Sequence, residues 1–436
     1  MVKRLRASDK NFLEDLELLL NSRLSHQLSK DNDVSKIIQE VKKNGDHAIK
    51  FYNKKFDDFD SELSNTKVPK EEILLSKELI DPNLIDSLKL AKERIISFHQ
   101  KDMPKNSLYI DKIGMNLGVK WSSINSVGVY VPGGNASYPS SVLMNVLPAK
   151  VAGVKRIVMA VPAPNGKINP LVLFAADLVG IEEIYRVGGA QAIAALAYGT
   201  KEIPKVEKIV GPGNAYVASA KRNVYGHVGI DTVAGPSEVL IVSDSISNPS
   251  WIAADILAQA EHDIDAQSIL ICDSEDFADK VESYVYKHLK KINNSFIANK
   301  SWINNGIIII NNNDNDDTSD LIKTIDLIAP EHLELSISNP LELINDISNA
   351  GAIFIGRYTP EAIGDYLAGP SHVLPTSRSA RFDSGLSVFS FLKRSSLIEC
   401  NEKAFNQIGG SVISLAEAEG LNAHALSVSL RLNEKN

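Results

Sequence analysis

Ser126-Val127-Gly128-Val129-Tyr130-Val131-Pro132-Gly133-Gly134 reads as a short apolar strand closed by a proline and two glycines. Tyr138-Pro139-Ser140-Ser141 then opens a helix running through Met144, Val146 and Ala149 to a stop at Gly153. Proline suits a first helical turn, and glycine suits the residue past the last. A strand over 156–161, a helix over 170–180, a strand over 183–187, a helix from Gln191 to Tyr198 and a strand over 208–210 follow. Apolar runs alternating with helical stretches are βαβ units, which predicts a parallel sheet. Three of the strands end on glycine, at Gly133, Gly188 and Gly211. Open α/β sheets bind ligands at the carboxyl ends of their strands. The dinucleotide fingerprint G-x-G-x-x-G is absent, because Gly211-Pro212-Gly213 is followed by Asn214. A phosphate or nucleotide site and a set of tight turns both fit these glycines.

A second series starts at Val239-Leu240-Ile241-Val242, preceded by Ala234-Gly235-Pro236-Ser237-Glu238. It continues through a helix opened by Asn248-Pro249-Ser250, a strand over 268–272, a helix over 276–289, a strand over 306–310, a helix over 319–327 and a strand over 351–356. Two doubly wound units are therefore expected. Residues 1–110 read as helical, with Leu and Ile three and four apart among charges, and hold no evident chemistry. His26, His47, His99 and His288 lie in charged helical stretches and read as solvated or capping. The Asn/Asp run over 311–317 reads as a solvated loop, since a calcium loop needs a glycine at its bend and a terminal glutamate.

The 436 residues, 44% of them hydrophobic, supply more than one core. A net charge of -8 with no basic block argues against nucleic acid. No apolar run approaches the roughly 18 residues of a membrane span. The basic opening Met1-Val2-Lys3-Arg4 is followed by leucines interrupted by Glu14, Asp15 and Glu17, so no secretory leader forms and a cytoplasmic address is expected. Cys272 and Cys400 are the only cysteines, so any metal here takes nitrogen and oxygen ligands.

Polar residues collect in four places. Gln259 and His262 are three apart near a helix end and share one face, while Glu261 points away. That spacing gives half a metal site or a polar helix face. Ala329-Pro330-Glu331-His332-Leu333 sets an acid beside an imidazole in what reads as an exposed loop. Thr359-Pro360-Glu361 starts a helix that carries Asp365, followed by Gly369-Pro370-Ser371-His372. A last helix, over 411–432, bears Glu417, Glu419 and His424, with Gly420 inside it. A zinc site without thiolates takes roughly four imidazole or oxygen ligands. Gln259, His262, Asp365 and His424 would supply them, and other carboxylates compete for the same role.

Together these segments resemble the L-histidinol dehydrogenase family. The resemblance rests on the opening stretch, Gly188-Gly189-Ala190-Gln191-Ala192, Gly211-Pro212-Gly213-Asn214-Ala215, Ala234-Gly235-Pro236-Ser237-Glu238, Gln259-Ala260-Glu261-His262, Ala329-Pro330-Glu331-His332-Leu333, Gly364-Asp365-Tyr366 with His372-Val373-Leu374-Pro375-Thr376, and Glu417-Ala418-Glu419-Gly420-Leu421 with His424. They run in order from Trp121 to Arg431, whereas the first 120 residues match loosely. The resemblance implies a zinc-dependent, NAD-linked enzyme that oxidises L-histidinol to L-histidine through the aldehyde level, the last steps of histidine biosynthesis. It implies one Zn2+ per subunit on Gln259, His262, Asp365 and His424, and NAD on Tyr130, Gln191 and Asn214. It puts substrate on Ser237, Gln259, His262, His332, Asp365, His372, Glu419 and His424, and proton transfer on Glu331 and His332. The family is a homodimer with intertwined ends, so His424 and Glu419 are expected to reach the partner's site.

The expected architecture is α/β, with two doubly wound, incomplete Rossmann-like parallel-sheet domains and small N- and C-terminal helical extensions. Residues 1–26 form the N-terminal extension. Residues 27–129 with 239–386 form the first domain, carrying most zinc and catalytic residues. Residues 130–238 form the NAD-binding domain, and 387–436 a helical tail exchanged with the partner.

Elementary chemistry suits these roles. An alcohol keeps its proton near pH 7 unless a base takes it as hydride leaves, and an imidazole with a reference pKa of about 6.5 is such a base. Glu331 can deprotonate the water that adds to the aldehyde, and Glu419 can pair with a substrate ammonium. Zinc polarises oxygen or anchors substrate, and the resemblance favours anchoring. The alternative is a related zinc/NAD dehydrogenase of another small alcohol, such as a sulfonated diol, but a carboxylate at Glu419 would repel a sulfonate. A zinc hydrolase would need neither the glycine-rich strand ends nor Asn214, and an idle zinc-binding protein would need neither Glu331 nor His332.

Overall fold

The computed structural model describes residues 2–24, 31–60, 66–133, 138–312 and 318–433; His26 and Gly134 lie outside them. In chain order the strands are β1 (Lys3–Arg6), β2 (Ser107–Ile110), β3 (Asn116–Ser123), β4 (Ser126–Tyr130), β5 (Arg156–Val161), β6 (Glu183–Arg186), β7 (Lys208–Val210), β8 (Gly229–Ile230), β9 (Glu238–Ser243), β10 (Gln267–Cys272), β11 (Ile307–Ile310), β12 (His332–Ser336), β13 (Ala352–Ile355) and β14 (Leu392–Glu399). The first βαβ series forms a five-stranded sheet, β6-β5-β4-β7-β8. The second forms a six-stranded sheet, β1-β11-β10-β9-β12-β13. Every pairing in both is parallel. Strands β9 to β12 are buried along their whole length, as helices on both faces of a parallel sheet require. The fold is thus α/β with two doubly wound sheets.

Three expectations change. Residues 1–26 are not a separate helical extension. β1 pairs with β11 in register from Lys3 with Ile307 to Arg6 with Ile310, and Phe12, Leu16 and Leu20 of the next helix share a core with Leu240, Ile269 and Leu333. The grouping of 27–129 with 239–386 also fails on packing. Val34, Ile37, Ile49 and Tyr52 share a core with Val158, Ala160 and Ile193, while Ile73, Ile85, Leu88 and Ile95 pack with Leu143, Met159 and Phe174. These helices therefore cover the five-stranded sheet. Finally, the tail is not wholly helical. β14 pairs antiparallel with β3, which pairs with β2, to make a third sheet.

The expected last helix is two helices, Glu402–Ala418 and Asn422–Asn433. Gly420, at φ +73°, ends the first. Its N–H donates to Glu417 O at 3.0 Å and Leu421 N–H donates to Ala416 O at 2.7 Å, the paired bonds of a Schellman stop. Among the described residues no helix is long and apolar enough to cross a membrane.

The two parallel sheets meet at a cleft in opposite senses. The five-stranded sheet offers its carboxyl ends, at Gly133, Gly188 and Gly211. The six-stranded sheet offers its amino ends, with Ser237 and Glu238 at β9 and Glu331 and His332 at β12. Gly211 sits at φ +112°, and a Cβ there would lie 2.0 Å from Tyr130 O. Only glycine permits that approach.

Candidate active site

Two neighbouring cavities occupy the cleft. The first, about 830 Å³, is lined by Tyr130, Gly133, Gly188, Gly189, Gln191, Asn214, Tyr52 and Phe56. It brings together Tyr130, Gln191 and Asn214. The second, about 420 Å³, is lined by Asn214, Ser237, His262, Glu331, His332, Glu361, Asp365 and His372. Gly133 and Asn214 line both.

In the first cavity Tyr130 is buried, and its hydroxyl oxygen accepts Gly189 N–H at 3.1 Å. Burial pushes its pKa up to about 12, so it stays a neutral phenol. Gln191 is 1% exposed and its Oε1 has no partner among the described residues. A buried amide oxygen left unbonded is costly, so this atom awaits a donor. Asn214 caps the helix Ala215–Val224, its Oδ1 accepting Tyr216 N–H at 3.1 Å and Val217 N–H at 3.2 Å.

In the second cavity the expected loop at Glu331-His332 is instead the start of a central strand. The helix Ser319–Ile328 ends on Ala329 in the left-handed region, φ +47°, Pro330 follows, and His332 opens β12 between β9 and β13. Glu331 and His332 are 5% and 4% exposed. Glu331 Oε2 accepts Glu238 N–H at 2.9 Å and lies 3.7 Å from His332 Nδ1. His332 Nδ1 lies 3.0 Å from Glu238 O. A carbonyl only accepts, so Nδ1 carries the proton and Nε2 keeps its lone pair. Nε2 has no partner among the described residues. Burial lowers the His332 pKa to about 4 and holds the Glu331 carboxyl well above the ordinary range.

Beside this pair, one ligand atom each of His262, Glu361 and Asp365 lies within 4.8 Å of the other two. The helix Pro249–Ala260, capped by Asn248, stops before His262. The backbone N–H of His262 donates to Gln259 O at 3.3 Å, so His262 sits on a turn just past the helix end. Gln259 is fully buried. In the orientation that satisfies its neighbours, its amide N–H2 donates to Glu361 at 3.1 and 3.2 Å and to Glu238 O at 3.2 Å. In that orientation the amide nitrogen, not the amide oxygen, faces the Glu361 carboxylate. His372 Nδ1 lies 3.1 Å from Asp365 O, a bond that fixes Nδ1–H and frees Nε2, and burial lowers its pKa. Ser237 anchors the strand edge, its carbonyl accepting Gln267 N–H at 3.0 Å.

Glu361 is the residue that sequence reading missed. Pro360 marked a helix start, but nothing in the spacing separated Glu361 from other acids. Glu419 and His424 behave differently: both are exposed on the C-terminal helices, outside the cavity and outside the His262 cluster.

Behind Glu361 lies a second tier of buried acid. Glu361 N–H donates to Glu334 Oε1 at 2.6 Å. Burial, aided by Asp255, pushes Glu334 up to about 8, and burial pushes Asp255 up to about 7. The unfolded chain releases these protons near pH 4. The folded chain therefore binds more protons between those limits, so the stabilisation is complete at low pH and is lost as pH rises through about 7 and 8. Calorimetry is expected to show these groups lowering the melting temperature of the wild type between about pH 4 and pH 8, with a fall several degrees smaller in Glu334→Gln. Parallel falls in the two proteins would contradict the buried proton.

Two doubly wound sheets facing one cleft, a glycine-edged cavity with an unsatisfied amide and a second cavity with a buried acid–imidazole pair together define an α/β oxidoreductase. The family model described as histidinol dehydrogenase matches residues 21–432. A histidinol dehydrogenase of Rhodospirillum rubrum is 52% identical over 437 residues, covering 99% of each chain. One of Brucella abortus is 51% identical over 433 residues, 99% of this chain and 100% of the relative. The crystal structure of histidinol dehydrogenase from Elizabethkingia anophelis superposes with a TM-score of 0.92 at 34% identity, covering 99% of this chain and 98% of that one. The chain belongs to the histidinol dehydrogenase family, the enzymes of the last steps of histidine biosynthesis.

Proposed function

We propose that this chain, as a cytoplasmic homodimer, oxidises L-histidinol to L-histidine with NAD and one Zn2+ per subunit. The observation that carries the reading is His332 Nε2: buried, unprotonated, without a partner among the described residues and on the wall of the cavity that also holds His262, Glu361 and Asp365. The donor set suits zinc, with an imidazole at His262, a carboxylate at Asp365, the amide oxygen of Gln259 and no thiolate. Those three residues would hold the ion together with the partner subunit's His424. Glu361 fixes Gln259 by accepting its amide protons, a supporting role that orients the ligand oxygen. When bound, the ion supplies positive charge that anchors the substrate's imidazole and amine, and NAD supplies the hydride acceptor.

The chain's own groups move the protons. His332 Nε2 takes the hydroxyl proton; its pKa near 4 keeps it neutral at working pH. Glu331, whose buried carboxylate has a raised affinity for protons, takes one from the water that adds to the aldehyde. Asn214 borders both cavities, where cofactor and substrate must meet. Gln191 Oε1 accepts from the cofactor together with Tyr130 at that end, and Ser237 and His372 hold the substrate. Each turnover converts one alcohol, one water and two NAD+ into one carboxylate, two NADH and three protons.

Purified protein given zinc and NAD is expected to make about two NADH per L-histidinol consumed, followed by NADH absorbance. No NADH with L-histidinol, but NADH with a sulfonated diol, would move the substrate to that class.

A further inference from the structure

We infer that the buried Lys221–Asp231 ion pair is a positioning clamp for the loop 211–214, and through Asn214 for the cofactor; this rests on the reading of Asn214 as an NAD-binding residue. The two side chains are 2% and 4% exposed. Between them they hold both peptide groups of Gly211. Gly211 N–H donates to Asp231 Oδ2 at 2.7 Å, and Lys221 Nζ donates to Gly211 O at 3.1 Å.

The position of the clamp explains why it would matter. Gly211 presses on Tyr130 O, leaving no room for a Cβ, so the loop lies directly on the backbone of another cofactor residue. Lys221 stands on the helix Ala215–Val224, which begins at Asn214. The helix thus starts from the loop and, two turns later, sends a side chain back to grip it. Asp231 follows β8, and its own N–H donates to Ile209 O in β7 at 3.1 Å. Strand, loop and helix are therefore tied at Gly211. Both clamp residues also line the substrate cavity with Gly211, Pro212 and Asn214, and the loop they hold ends at Asn214, which lines both cavities.

Stability alone does not account for the pair. Well-packed apolar residues of similar volume often serve a core as well as a buried ion pair or better. What apolar residues cannot do is direct one bond to the N–H and another to the C=O of the same glycine. Two directed bonds fix the peptide's orientation, and that orientation sets where Asn214 begins its helix. Lys208 feels the charges of both Asp231 and Lys221, but its Nζ donates to Ser390 O at 2.7 Å.

The test is steady-state kinetics on Asp231→Asn, which keeps an oxygen for Gly211 N–H but removes the charge that holds Lys221. The KM for NAD is expected to rise about tenfold, by clearly more than the KM for L-histidinol at saturating NAD, while the zinc content stays within about twofold. Lys221→Arg, which keeps the cation, is expected to raise the KM for NAD less than Asp231→Asn does. If Asp231→Asn fails to fold because Lys221 is left unpaired, the double variant Lys221→Met with Asp231→Leu, which leaves no buried charge, takes its place with the same expected rise. Asn214→Ala runs in parallel. A folded clamp variant with a lowered melting temperature but an unchanged KM for NAD, beside an Asn214→Ala variant in which that KM rises, would reduce the pair to a structural role and overturn the inference. If neither variant moves the KM for NAD, the assignment of Asn214 to the cofactor falls, and the inference with it.

Discussion

Replacing His332 with alanine is expected to lower kcat by about 10²–10⁴-fold, the usual worth of a positioned general base, without loss of zinc. The size follows from how completely the structure prepares this one nitrogen. Glu238 O fixes the proton on Nδ1, burial keeps the ring neutral down to about pH 4, and no group among the described residues bonds to Nε2. No neighbour can substitute at once. His372 is held by its own bond to the Asp365 carbonyl, and Glu331 is tied to the Glu238 N–H. The fold should survive the change, because Glu238 O retains the Gln259 amide at 3.2 Å and is not stranded. Zinc should survive because His332 lies outside the His262–Glu361–Asp365 cluster. Since His332 is already neutral well below pH 6, the deficit should be nearly constant from about pH 6 to pH 9. Turnover at saturating NAD and L-histidinol, with metal analysis of the same samples, measures both halves; unchanged turnover in the alanine variant would end the general-base role.

How far the sequence disclosed this site depended on which face each residue shows. Eight of the eleven strands of the two parallel sheets were legible as largely apolar runs, as in Ile307-Ile308-Ile309-Ile310, while glycine marked where three of them end; β1, the two-residue β8 and β12 were not. β1 was not legible: Lys3-Arg4-Leu5-Arg6 is a basic edge strand, paired on one side only, and its charges resemble a helix surface. The helices between Asp31 and Lys101 showed an apolar face, but periodicity says that a face is buried and not which sheet buries it. Gly420 carried a readable stop signal that the strong period around it obscured. Glu331 and His332 were identified as chemistry yet set on an exposed loop, because two polar residues ahead of Leu333 look solvated. Their burial depends on β9 and β13 flanking them, a non-local fact. The same holds for Glu361, whose importance appears only once Gln259 and Glu334 are beside it.

Dimers assembled from His424→Ala and His262→Ala subunits are expected to be active although neither variant is active alone. In a single chain His424 is exposed on the helix Asn422–Asn433, away from His262, Glu361 and Asp365. That helix packs on Glu402–Ala418, where a Cβ on Gly409 would meet Leu432 at 3.0 Å, yet Leu415, Leu426 and Leu430 remain 67%, 56% and 58% exposed. An apolar face of this kind is suited to a second copy of the chain, and β14 on β3 fixes where the helical pair leaves the body. Under a two-fold exchange each site draws His262 from one subunit and His424 from the other. A mixed dimer then has one site lacking both histidines and one site intact. With random assortment about half the dimers are mixed and each retains half its sites, so the mixture should recover about a quarter of wild-type activity. Co-expression with two affinity tags isolates the mixed dimer, whose turnover per dimer should be about half that of the wild type, with zinc in one site. An inactive mixed dimer would mean that His262 and His424 serve the same site within one chain, and the exposed C-terminal helices would then have to fold back onto their own cleft.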